Sequence, residues 1–294
     1  MSVTAARLRP RVTTASARLL SGSVDARPVA IVRMVIGLTA LVRVLEARRI
    51  FARLVLPTTI RLPYVPWLPV LPAAGLSWLL VIWAVAALLF ALGWWTRAAG
   101  VTLAATVLYG VLLDEQTYSN HLYLLVLVIL LLVLANAGAL YSVDARHRRT
   151  PAVAAAWAVW LLRTQVSATY AFAGLSKING VYLSGATMAA YTSPDLLASL
   201  PESARLPFVL ACSWGAIVGE LSLAIALWSR RWRRAAVVAG VALHVGMVAF
   251  LPPGVRFQLV IFAIEMLALY LVFVDGAPVD PSRHPRHPGR GGMP

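Results

Sequence analysis

Eight apolar segments recur along the chain, at approximately residues 29–46, 73–95, 98–113, 121–141, 152–173, 207–228, 235–251 and 256–274. A helix needs about 20 apolar residues to cross the hydrocarbon core of a bilayer. Inside lipid every backbone polar group must be bonded within the protein, so only helices and closed barrels span it. These segments are continuous and lack the two-residue alternation of a transmembrane strand, which excludes the barrel. Composition points the same way. The chain is 60% hydrophobic and 13% charged, against about 25% charged residues in a soluble domain. The expected fold class is all-α, a polytopic transmembrane helical bundle of about eight spans.

Arginine placement orients the bundle. Cytoplasmic loops carry an excess of basic residues. With the N-terminus inside, 16 basic residues fall on the inner side, 7 on the outer side, and Arg33, Arg43 and Arg163 within segments. Both termini are therefore expected in the cytoplasm, with the protein in the inner cell membrane. The expected domains are a basic N-terminal tail (1–28), a transmembrane domain (29–274) and a disordered Pro/Gly/Arg/His-rich C-terminal tail (275–294). The N-terminal tail is Arg- and Ser-rich, a transit-peptide pattern as well as a cytoplasmic one. The net charge of +15 lies between apolar segments, where it sets topology and meets anionic lipid headgroups. The lipid bilayer is thus an expected partner and nucleic acid is not. Between the first two segments, prolines at 57, 63, 66, 69 and 72 forbid a regular helix, and Tyr64 and Trp67 suit an interface.

Ionisable residues at membrane depth are few and default to functional candidates. His121 opens the fourth segment, Arg163 lies in the fifth, Glu220 in the sixth, His244 in the seventh and Glu265 in the eighth. Lys177 is the one lysine beside 25 arginines. It follows the fifth segment in a Gly/Ser-flanked break, where Gly174 and Gly185 allow a turn or a close approach. By topology His121, Lys177 and His244 share the outer depth band. Each has a structural reading too: a helix–helix hydrogen bond for His244, solvation for His121, snorkelling for Lys177. Glu220 and Glu265 are expected to pair with span arginines, and Arg163 to partner such an acid. Arginine stays protonated, whereas lysine in a dry site can act as a base. No P-loop, GxSxG or HExxH motif is present. His121, His147 and His244 lack a metal-ligand spacing, and the single Cys212 allows neither a disulfide nor a cysteine metal cluster. No metal site is expected.

Three runs then stand out together: TYSNHLYLL (117–125), YSVDARHRR (141–149) and TYAFAGLSKINGVYLSGATM (169–188). In order and spacing, over about 70 residues, they resemble the membrane part of vitamin K-dependent γ-carboxylase and the wider horizontally transferred transmembrane domain family of bacteria. Weaker similarity continues through GELSLAIAL (219–227) and the segment holding His244. The resemblance implies specific roles. Lys177, after the Ala173–Gly174 pair, matches the base that takes a proton from vitamin K hydroquinone. Asn120 and His121 match the family's Asn–His pair near the quinone, with Asn120 orienting His121. A later family histidine corresponds to His244.

The implied cofactor is a vitamin K-type hydroquinone (menaquinol), with oxygen and carbon dioxide as co-substrates. The carboxylase continues into a large lumenal domain, while this sequence ends about 20 residues after its last apolar segment. The expected substrate is accordingly a small secreted peptide, or one handled by a separately encoded soluble partner. Two other functions stay open. One is a non-enzymatic lipid- or quinone-binding module, or a partner in export or maturation of a small peptide. The other is a transporter using Glu220 and Glu265, which lacks an evident inverted repeat.

Overall fold

The computed structural model describes residues 21–146, 152–250 and 253–274. The N-terminal tail to residue 20, the C-terminal tail 275–294 and His147 lie outside the described residues. Strand β1 (Ser23–Asp25) leads into helix α1 (Arg27–Leu54). Then follow α2 (Ala73–Leu92), α3 (Thr96–Leu112), α4 (Asn120–Leu134) and the short α5 (Val143–Arg146). Strand β2 (Val153–Ala155) precedes α6 (Ala156–Ser176). Three short helices fill the next connection: α7 (Gly180–Leu183), α8 (Ala186–Tyr191) and α9 (Pro194–Ser199). The chain closes with α10 (Glu202–Ala226), α11 (Arg233–Phe250), α12 (Pro253–Leu269) and a 3-10 turn, Tyr270–Phe273. The one departure from helix among the described residues is the antiparallel pairing of β1 with β2, Val24 opposite Ala154.

Each of the eight apolar segments falls on one long helix. Five of these stretches are long and apolar enough to cross a membrane: α1, α2, α10, α11 and Arg256–Phe273. Helices α3 and α4 are apolar but shorter, and α6 has the length, at 21 residues, but carries Arg163, Thr164, Gln165 and Ser167 through its middle. Large apolar side chains face outward: Ile225 is 76% exposed, Phe172 73% and Val238 69%. A soluble protein would hide such a surface; hydrocarbon covers it here.

The core gathers Trp83, Phe90, Leu125, Ile129 and Leu162 between α1, α2, α4 and α6. Two buried arginines of α1 tie it together. The Arg33 guanidinium donates to the carbonyls of Phe90 (2.6 Å), Ala91 (2.8 Å) and Tyr141 (2.6 Å). The first two belong to the last turn of α2, whose carbonyls lack helical partners. Arg43 grips both carboxylate oxygens of Glu265 on α12, at 3.0 Å each. This pair agrees with the expectation that Glu265 meets a span arginine.

Loops sort to two ends. At one end Asp144 accepts from the amides of Trp95 (2.9 Å) and Thr96 (2.8 Å), capping α3 from the loop after α4. At the other end Asp114 accepts from the Leu62 amide (2.8 Å) and Tyr64 stacks on Tyr118 at 5.5 Å. The proline-rich connection is thereby folded onto the turn between α3 and α4. That connection starts later than the first apolar segment suggests. Arg48, Arg49 and Arg53 complete the last turns of α1, because no proline interrupts the chain before Pro57.

Candidate functional site

Helices α6 and α10 pack side by side, and Gly174 sets how closely. A Cβ at Gly174 would lie 2.8 Å from the Leu221 side chain, so a larger residue would force the helices apart. Three residues on, α6 ends and Lys177 takes the C-cap position. Its Nζ donates to Glu220 Oε2 (2.7 Å), Glu220 Oε1 (2.8 Å) and the Ala173 carbonyl (3.0 Å). The Lys177 side chain is 24% exposed and that of Glu220 is 7%. The expectation that Glu220 pairs with a span arginine fails here: its partner is the lone lysine, delivered by the α6–α10 packing. Arg163 donates to the Val272 carbonyl at 2.6 Å, beside the Phe273 ring.

The two histidines meet across one phenylalanine. The His121 ring stacks on Phe262, centroids 4.2 Å apart, and His244 meets the same ring edge-on at 5.7 Å. Among the described residues no hydrogen bond joins the Asn120 side chain to His121, so the Phe262 ring orients that imidazole.

His244 is buried, and its Nε2 shares a 2.8 Å hydrogen bond with the Tyr170 hydroxyl. The Tyr170 hydroxyl also bonds the hydroxyl of Tyr270. The chain of hydrogen bonds Tyr270–Tyr170–His244 thus occupies Nε2. The other ring nitrogen, Nδ1, is a buried atom with no partner among the described residues.

These groups surround a cavity of about 740 Å³. Asn120, His121, Lys177 and His244 all line it, together with Glu220 and Phe262. The sequence places these residues on or at the end of five separate helices; the fold gathers them around one cavity. Asn120 is exposed at the start of α4, and His121 follows it. A second cavity of about 500 Å³ lies on the other side of the ion pair. Lys177 and Glu220 line both, and Tyr182, Met188, Cys212 and Phe250 line the second. Cys212, read from sequence as a packing residue, is thus partly a cavity wall. Burial, reinforced by the Glu220 carboxylate, pushes the phenol of Tyr182 in the α7 connection up to about 12. It stays neutral across ordinary pH.

Sequence reading missed the partnership of Glu220, the Tyr170–Tyr270 pair and the second cavity. Glu220 had a signal: it is an acid at the depth of the lone lysine. Tyr170 lies within the run around Lys177, but nothing local links it to Tyr270, 100 residues away.

A family model described as HTTM domain matches residues 22–277. No solved structure matches the chain. The apolar helices and this match make the protein a multi-pass membrane protein.

Proposed function

We infer the activity from one premise: the chain belongs to the HTTM family, the domain of vitamin K-dependent γ-carboxylase-like proteins. We propose that the larger cavity binds a vitamin K-type hydroquinone such as menaquinol and that Lys177 removes a proton from one of its hydroxyl groups. The observation that carries this reading is the convergence of Asn120, His121, Lys177 and His244 on one cavity. A flat, lipophilic ring with two polar edges suits walls of Phe262, Leu124 and Leu259 interrupted by these few polar groups. The unpartnered Nδ1 of His244 supports the fit, because a buried polar atom calls for a hydrogen-bond partner. When bound, the hydroquinone supplies reducing equivalents, used with oxygen and carbon dioxide in carboxylation or a related modification of a peptide substrate.

The residues divide the work. Phe262 holds the His121 ring, the Tyr270–Tyr170 chain holds the His244 ring through Nε2, and both imidazoles bond ring oxygens. Asn120, at the exposed mouth, contacts the ring edge. The apolar walls and the bound ring together exclude water from Lys177, a condition for a lysine to serve as base. Eight spans in the inner membrane with both termini cytoplasmic are part of the same proposal, as is a small secreted peptide or a separately encoded soluble partner. Both acids once available to a transporter are held in ion pairs, which leaves that reading without support. The test is hydroquinone-dependent oxygen consumption by purified protein in lipid. Lys177→Ala and Lys177→Arg are expected to abolish it; full activity in both removes Lys177 from the chemistry. A menaquinone that co-purifies without any turnover would favour a binding module.

A further inference from the structure

We propose that Glu220 is the proton-holding partner of Lys177, so that the base facing the larger cavity is the pair and not the lysine alone. This rests on the reading of Lys177 as the group that takes a ring hydroxyl proton.

The argument starts from hydrogen counts. An ammonium group has three hydrogens to donate, and a neutral amine has two and a lone pair. Lys177 Nζ faces three acceptors at hydrogen-bond distance: both oxygens of Glu220 and the Ala173 carbonyl. An ammonium places one hydrogen on each, so we take ammonium and carboxylate as the resting pair. In that form Lys177 has no lone pair and accepts nothing.

In the ion-paired form the Glu220 contact blocks Lys177, and the same contact provides the remedy. Nζ lies 2.7 Å from Glu220 Oε2, so one proton can cross to the carboxylate. One N–H bond breaks and one O–H bond forms, giving an amine beside a carboxylic acid with the pair's net charge unchanged at zero. Water at the exposed side of Lys177 favours the ionised form, since ions in an apolar interior lose their solvation. Lys177 is 24% exposed and Glu220 is 7%, so the solvation enters from the lysine side. Lys177 borders both cavities, and a ring entering the larger one displaces the water there. The amine lone pair then accepts the hydroxyl proton. The ring O–H bond breaks, its electron pair stays on oxygen, and Glu220 keeps the first proton. The pair now carries one positive charge against one negative charge on the ring oxygen. Glu220 also lines the second cavity, which gives its proton a way out that avoids the ring.

Infrared difference spectra of the protein in lipid nanodiscs, taken without oxygen, test this. The probe is menadiol, with its binding measured separately by equilibrium dialysis. Menadiol is expected to raise the carbonyl-stretch band of a protonated carboxylic acid. The band should vanish in Glu220→Gln and move in frequency in Glu220→Asp. The Asp variant keeps the question answerable if the Gln variant fails to fold. Bound menadiol with no band that depends on residue 220 overturns the proposal and leaves the hydroquinone reading standing. An absence of menadiol binding overturns both. Hydroquinone-dependent turnover in Glu220→Gln should fall on the order of a hundredfold, the scale of losing proton transfer at one group.

Discussion

Among the described residues two ion pairs join distant helices, and they do different jobs. Arg43–Glu265 ties α1 to α12 with side chains 1% and 3% exposed. Lys177–Glu220 ties the end of α6 to α10 with side chains 24% and 7% exposed. The first is a planar two-point grip by a group that never gives up its proton. The second uses a compact cation that can, and it borders two cavities. A buried pair is thus no guide to function by its charges alone. The identity of the cation and its access to empty space separate a fastener from a proton-handling group.

Four changes would break or sharpen that contrast. Arg43→Ala strands the Glu265 carboxylate, and removing one partner of a buried pair costs about 3–5 kcal/mol. Loss of folded protein in a thermal unfolding assay in detergent is expected, with no rescue by added hydroquinone. Lys177→Arg should leave that unfolding temperature nearly unchanged while hydroquinone-dependent turnover falls on the order of 10²–10⁴-fold; equal losses in both assays would make the second pair a fastener too. Gly174→Val inserts a side chain where Leu221 already sits. Overpacking of this kind costs about 1–3 kcal/mol, and the parted helices should also lower turnover. Tyr270→Phe removes one hydroxyl from the chain behind His244 and costs about 1 kcal/mol. Its sharper readout is nitrogen NMR of His244, where the Nε2 signal should shift as the hydrogen-bond chain is shortened.

Much of the helix plan was legible because apolar runs and prolines act locally. The end of α1 was misjudged only where charge imitated a loop: Arg48, Arg49 and Arg53 are polar but compatible with helix. The candidate site was legible by residue type and depth. Lys177 stood out as the one cation able to lose a proton, and His121 and His244 by their rarity in apolar segments. What depth cannot give is rotation about each helix axis. Glu220 and Glu265 looked alike on that basis, and only the packing at Gly174 turned Glu220 toward Lys177. Likewise nothing in the sequence sets Phe262 and Tyr270 apart from other aromatics of the apolar segments, whereas the fold puts Phe262 against both histidines and Tyr270 against Tyr170.

Arg43 and Glu265 lie 222 residues apart, and that separation has a meaning for biogenesis. A ribosome adds about 5–20 residues per second, so Glu265 is made roughly 10–45 s after Arg43. For that interval Glu46, 3.4 Å away on the same helix, is the acid that partners Arg43, at a depth where charge is costly. Helix α1 is thus made early with a local counter-charge, and the two-point grip on its arginine is completed only when the last helix arrives.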